Sequence, residues 1–250
     1  MAKVKSSISF GLINIPVEIN NVVRNNDTYF NQLHNKCMHT IKHIKYCPIC
    51  KEEVNSNDLV KGYEYQNDEY ITFTDEEFDL LKSDDEKTIE IVSFINLKEI
   101  DPVYFQKSYE LSSDKNSKAY VLLKKAMKKS GKVALIKTVI RQKFYYAILR
   151  LNDESMIMTT LYFDEEVNID DKADETVSIS DKEMELALKL IDTLKGKFEP
   201  DKYKDEYQDR IKDAIDKKIS GKKIKKVKGK SKRSVSDLMK ALEESLKDAK

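Results

Sequence analysis

Val133-Ala134-Leu135-Ile136-Lys137-Thr138-Val139-Ile140 opens the stretch that decides the fold, and the pattern it starts runs on to Phe163. Gln142-Lys143 makes a first polar break, and Phe144-Tyr145-Tyr146-Ala147-Ile148-Leu149-Arg150-Leu151 returns. Asn152-Asp153-Glu154-Ser155 makes a second break, and Met156 to Phe163 is the third pass. β-Branched and aromatic runs bounded by polar turn clusters are the mark of strands, here three in an antiparallel meander. The outer strands of a meander carry unpaired N–H and C=O groups, so further strands are needed to close it. A barrel or sandwich follows, with an open sheet under helices as the alternative. We read a mixed α/β chain built mainly on an antiparallel β-barrel core, with peripheral helices and a helical C-terminal arm.

The flanking sequence supplies the extra strands. Ser7 to Leu12 alternates polar and apolar, Asn14-Ile15-Pro16 breaks the run, and Val17 to Val23 resumes it. Leu59 to Tyr65 and Tyr70 to Phe73 flank a Gln66-Asn67-Asp68 turn. Thr74 then reads as the N-cap of a short helix ending near Lys82, with Asp75, Glu76 and Glu77 placed where the helix dipole favours acids. Lys87 to Asn96 and Tyr104 to Leu111 are two more strands. Ser117 caps a helix through Lys129 that ends before Gly131. Its buried stripe is expected to be Ala119, Leu122, Leu123, Ala126 and Met127, with Lys124, Lys125, Lys128 and Lys129 on a solvated face.

Past Asp170 the strand pattern does not return. Ser180 and Glu183 form a capping box for a helix bearing Met184, Ala187, Leu188, Ile191 and Leu194, stopped at Gly196. Pro200 precedes a second helix carrying Tyr203, Tyr207, Ile211, Ala214 and Ile215. The run from Lys217 to Arg233 reads as an extended linker, and Ser234 opens a last amphipathic helix. The expected organisation is a core over 1–178, a helical arm over 179–219, a basic linker over 220–233 and a terminal helix over 234–250.

Charge sharpens this division. Lys217 to Arg233 holds ten basic residues and no acid, so against a net charge of +1 the rest of the 250-residue chain stands at −9. An acidic body with a basic tail suits a polyanionic partner met by the tail and by a sheltered face, or else a solvated linker. Three cysteines cannot all be paired within the chain. With no secretory leader pattern and no bilayer-length apolar run, a reducing cytoplasmic location without membrane contact is expected.

His34-x2-Cys37 and Cys47-x2-Cys50 stand nine residues apart. Zn2+ prefers four tetrahedral N or S ligands, and one imidazole with three thiolates would close the shell, as a structural ion requires. His39 and His43 compete for the fourth position. A redox pair at Cys47-Pro48-Ile49-Cys50 is the alternative, though no βαβ pattern surrounds it; plain buried cysteines are another. Catalytic motifs are wanting. Gly229-Lys230-Ser231 ends like a phosphate-binding loop, but position 224 is Ile where that motif needs Gly. We expect no enzyme and no nucleotide cofactor.

Ser7-Ile8-Ser9-Phe10-Gly11-Leu12-Ile13-Asn14-Ile15-Pro16-Val17 resembles the opening of the bacterial Ku family, the DNA-end-binding proteins of non-homologous end joining. Leu33-His34, Val60 to Tyr65, Glu99 to Phe105, Lys118 to Leu123 and Lys197 to Pro200 follow in the family's order, so the likeness runs nearly end to end. The resemblance implies a homodimeric ring whose barrels thread onto double-stranded DNA ends, protect them, and recruit an ATP-dependent DNA ligase of the ligase D type. It also implies a nucleoid-associated life in the cytoplasm. Binding that must accept any broken end has to rest on phosphates rather than base edges. Lys107, Lys115, Arg141 and Lys143 are the expected lumen residues. Lys222, Lys223, Lys225, Lys226, Lys228, Lys230, Lys232 and Arg233 would hold flanking DNA. The competing reading is a zinc-ribbon nucleic-acid-binding regulator.

Overall fold

The computed structural model describes residues 4–81, 88–113, 117–141, 143–153, 155–169 and 178–226. In chain order the elements begin with β1 (Val4–Phe10), β2 (Ile13–Asn21), β3 (Tyr46–Cys47), β4 (Glu52–Glu53), β5 (Lys61–Gln66), β6 (Glu69–Phe73) and α1 (Asp75–Leu80). There follow β7 (Thr88–Ile95), β8 (Phe105–Ser112), α2 (Lys118–Ser130), β9 (Val133–Ile140), β10 (Lys143–Asn152) and β11 (Ser155–Leu161). The last are α3 (Asp181–Thr193) and α4 (Glu206–Ile219). Two compact units result. One holds the chain up to Asn25 and Asn31–Ile169; the other joins Asn26–Phe30 to the chain beyond Ile169.

Seven strands close a barrel in the order β1-β2-β8-β11-β10-β9-β7. The meander read from 133 to 163 is its central part, with Leu149 opposite Met158 on one side and Ala134 on the other. Closure comes from a short parallel seam, Ser7 to Ser9 against Thr88 to Glu90. Alternation along each strand sends Ile8, Ile15, Val17, Ile89, Leu111, Ile136, Leu149, Met156 and Met158 into one buried cluster. Helix α2 packs on it through Leu123 and Met127, and the Tyr120 hydroxyl donates to the Leu111 carbonyl at 2.5 Å. Ser117 caps α2 by accepting from the Tyr120 N–H, and Gly131 ends it at φ 67°, a left-handed conformation that glycine adopts without strain.

Several sequence expectations need correcting. The first break lies at Gly11-Leu12, not at Asn14-Ile15-Pro16, for Phe10 pairs with Ile13 and Pro16 lies inside β2 opposite Ser7. Proline is tolerated there because β2 pairs with β8 only from Glu18 to Asn21. In the meander the turn starts at Arg141, and Lys143 already belongs to β10, paired with Ile140. Leu122 is exposed. With Ala119, Leu123 and Met127 facing the barrel, a neighbour turned by 100° must look away.

In the second unit α3 has the predicted capping box, Ser180 accepting from the Glu183 N–H, but its last helical residue is Thr193 rather than one next to Gly196. The second helix starts at Glu206, capped by the Asp205 carboxylate, so Tyr203 lies outside it and stacks on Phe198 with centroids 5.2 Å apart. Lys217 and Lys218 belong to the last turn of α4, where basic charge meets the dipole favourably, and not to the linker. The helix stops in a Schellman motif: Gly221, at φ 70°, donates to the Lys218 carbonyl and Lys222 to that of Lys217. The expected terminal helix over 234–250 lies outside the described residues.

Candidate functional site

Two of the four predicted lumen cations, Lys107 and Arg141, share one recess of the barrel unit. Lys107 is on β8, and Arg141 sits at φ 52° where the chain turns from β9 towards β10. Both line one concavity of about 630 Å3, with Asn21, Asn25, Gln106 and Tyr109 among the surrounding residues. Among the described residues no carboxylate lines it, and neither cation is in an ion pair. Desolvation by the barrel pushes the Tyr109 hydroxyl above its ordinary range and nearby Tyr145 adds to this, while Arg141 opposes it, so the guanidinium is electrostatically felt at that ring. The floor is tied down by hydroxyl contacts: Lys107 N–H to Thr160 Oγ1 at 3.1 Å and Ser108 Oγ to Thr159 Oγ1 at 2.9 Å.

Lys143 has a different setting. Its Nζ meets Glu166 at 3.3 Å and lies over the Tyr145 ring, so its charge is already partly answered. Lys222, Lys223, Lys225 and Lys226 are exposed beyond the end of α4. Lys115, Lys228, Lys230, Lys232 and Arg233 lie outside the described residues. Tyr109, Asn21 and Gln106 carried no sequence signal for this site. Only the pairing of β2 with β8 brings Asn21 beside Tyr109.

The metal-ligand candidates form two separate pairs. Cys47 and Cys50 flank a tight turn between β3 and β4, and the Cys50 N–H donates to Cys47 Sγ at 3.4 Å. That donor, then the Ile49 N–H and the Cys50 thiol, hold the Cys47 thiol below its usual range; the shared hydrogen bond pushes Cys50 up. His34 Nδ1 lies 3.2 Å from Cys37 Sγ, in a turn where Met38 has φ 55°. His39 faces the Cys37 carbonyl at 2.8 Å, which leaves His34 better placed as the imidazole donor. The donor chemistry of each pair fits zinc. The halves are not gathered, however: among the described residues no group of three or more His, Cys, Asp or Glu could hold a metal ion.

A third feature lies apart from the barrel. The β5–β6 hairpin is exposed over almost its whole length, with Tyr63, Tyr65, Tyr70 and Ile71 open to solvent. Among the described residues no helix is long and apolar enough to cross a membrane.

The Ku family model, the Ku70/Ku80 beta-barrel domain, matches residues 9–186. The chain is 40% identical over 244 residues to a non-homologous end joining protein Ku of Desulfitobacterium hafniense, covering 97% of this chain and 86% of that protein. Proteins of the same name from Lachnoclostridium phytofermentans and Bacillus subtilis are each 36% identical to it. The first match covers 98% of this chain and 96% of that protein, the second 97% and 80%.

Proposed function

The chain belongs to the Ku family, and on that footing we propose that two copies of it form a ring that binds double-stranded DNA ends without regard to sequence. The ring shields the ends and recruits an ATP-dependent DNA ligase of the ligase D type for end joining, in the cytoplasm and close to the nucleoid. The protein itself performs no catalysis and binds no nucleotide. The observation that carries this reading is the concavity that holds both Lys107 and Arg141, with no carboxylate among its described lining residues, in a body whose charge outside the basic run is −9. A polyanion would be drawn to that recess and repelled by much of the exterior. Affinity built on phosphate contacts falls steeply as salt rises, because counterions are released on binding. Lys222 to Lys226 and the basic residues after them add a second, sequence-blind grip.

The exposed β5–β6 hairpin supports self-association. A two-stranded hairpin is marginal alone in water, and one carrying Tyr63, Tyr65 and Ile71 in the open gains stability by being covered. The second copy of this chain is the occupant we assign. For the lobe carrying β3 and β4, His34, Cys37, Cys47 and Cys50 would hold a structural Zn2+ once the two pairs close on each other. Such an ion supplies folding energy to a segment with little core of its own.

The test compares linear with covalently closed DNA of one sequence in gel shifts, with and without magnesium. End-dependent binding without cleavage supports the ring. Equal binding of closed circles removes it, sequence preference favours a zinc-ribbon regulator, and magnesium-dependent cutting indicates a nuclease. Native mass measurement tests the dimer. Metal analysis of the same sample is expected to return about one zinc per chain; full folding in chelator with all three thiols reactive refutes the metal.

A further inference from the structure

We propose that the concavity shared by Lys107 and Arg141 seats a terminal phosphate of the broken strand, a ligand distinct from the interior phosphates of the duplex. The inference rests on the end-binding reading and adds to it a chemical preference for the kind of end. Three observations lead to it.

The first is shape. Interior phosphates of a duplex form a continuous outward-facing rail, which cations along a strand or ridge can follow. A recess of about 630 Å3 between the exit of β2, the start of β8 and the turn at Arg141 instead has the size of a small-ligand site, open to a group that projects. The second is charge. A phosphate monoester carries roughly −1.5 to −2 near neutral pH, whereas an interior diester carries one charge. Two cations with no carboxylate among the described residues of the recess favour the former. The side-chain amides of Asn21 and Gln106 line the same recess and carry N–H groups that suit a phosphate oxygen.

The third observation is a breach of local rules. Residues at left-handed φ in short hairpin turns are typically Gly, Asn or Asp. The next turn of the meander obeys, with Asp153 at φ 51°. The β9–β10 turn puts Arg141 at φ 52°, and that arginine lines the recess. Lys51 and Met38 share this conformation elsewhere, so the backbone alone assigns no role; within the meander Arg141 is the one such side chain that also lines the recess.

The experiment uses the full chain and short linear duplexes of one sequence that differ only at their ends: 5′-phosphate, 3′-phosphate, or hydroxyl on both strands. A covalently closed circle of the same sequence is the fourth probe. Affinities are read by fluorescence anisotropy or, for the circle, by competition, at fixed salt and neutral pH. The seat predicts roughly tenfold tighter binding to one phosphorylated end than to hydroxyl ends, the scale of an added charge-assisted contact. The arm that shows the preference identifies the strand terminus. Arg141→Gln and Lys107→Gln, both at exposed positions, are expected to weaken binding to every linear duplex and, beyond that, to bring the ratio of phosphorylated to hydroxyl ends towards one. A ratio near one in the parent, with the circle still unbound, overturns the seat alone. A ratio kept in both variants overturns it too. A circle bound as tightly as linear duplex overturns the end-binding reading and the seat with it.

Discussion

Two hairpins of this protein share a composition and have opposite surroundings. β10–β11 and β5–β6 are both antiparallel pairs rich in aromatic and branched residues. The first is flanked by β9 and β8 and puts Leu149, Met156 and Met158 at full burial; the second leaves Tyr63, Tyr65, Tyr70 and Ile71 in water. Local pairing is thus the lesser part of a strand's stability, and the neighbours on either side decide the rest. A hairpin that has no flanking strand among the described residues, and only α1 beside it through Phe78 and Asp75, leaves most of its aromatic surface in water.

The largest effect that would break this contrast lies in the barrel. Leu149→Ala removes a wholly buried side chain and is expected to cost about 3 kcal/mol, read by denaturant unfolding. A loss as small as that of a surface change would mean that the barrel is not the stability core. Next comes Tyr63→Ala on the open hairpin. Its unfolding free energy should stay within about 0.5 kcal/mol of the parent when measured at concentrations where the protein is monomeric. Self-association, followed by sedimentation, should weaken in the same variant; undiminished association would take the hairpin out of the interface.

A smaller effect is expected at Gly131, which closes α2 at φ 67° with open space around it. Gly131→Ala meets no clash there, so its expected loss of about 1 kcal/mol is conformational alone. The smallest concerns pH. The hydroxyl of Ser180, and then its backbone N–H, hold the Glu183 carboxyl below the usual carboxylate range. A group with a lowered folded pKa stabilises fully above its unfolded value and ceases to do so as pH falls through the folded one. Helix α3 should therefore fray only in the acid range, and Glu183→Gln should flatten that part of the circular dichroism titration.

The barrel was legible because its strands alternate and its turns are polar, and the Ser117, Thr74 and Ser180 caps were legible from residue type alone. Pro16 misled, since its tolerance depends on where β8 stops pairing, a property of tertiary register. Lys107 and Arg141 could be named as cations in strands or turns. That they share a recess, while Lys143 is held by Glu166, depends on which strands lie side by side. Asn21 and Tyr109 were invisible for the same reason: they are 88 positions apart and opposite each other only in the β2–β8 ladder.

The parallel seam between β1 and β7 has a consequence for synthesis. The β1–β2 hairpin leaves the ribosome before the other strands of the barrel, yet its two flanks are β7 and β8, strands that end at Ile95 and Ser112. Until those emerge, and β9 to β11 after them, the earliest strands of the barrel have no finished wall to join. Such distant pairing slows folding and leaves sticky strands uncovered for longer. Chains cut short before Leu161 should accordingly be prey for chaperones and proteases instead of miniature versions of the barrel.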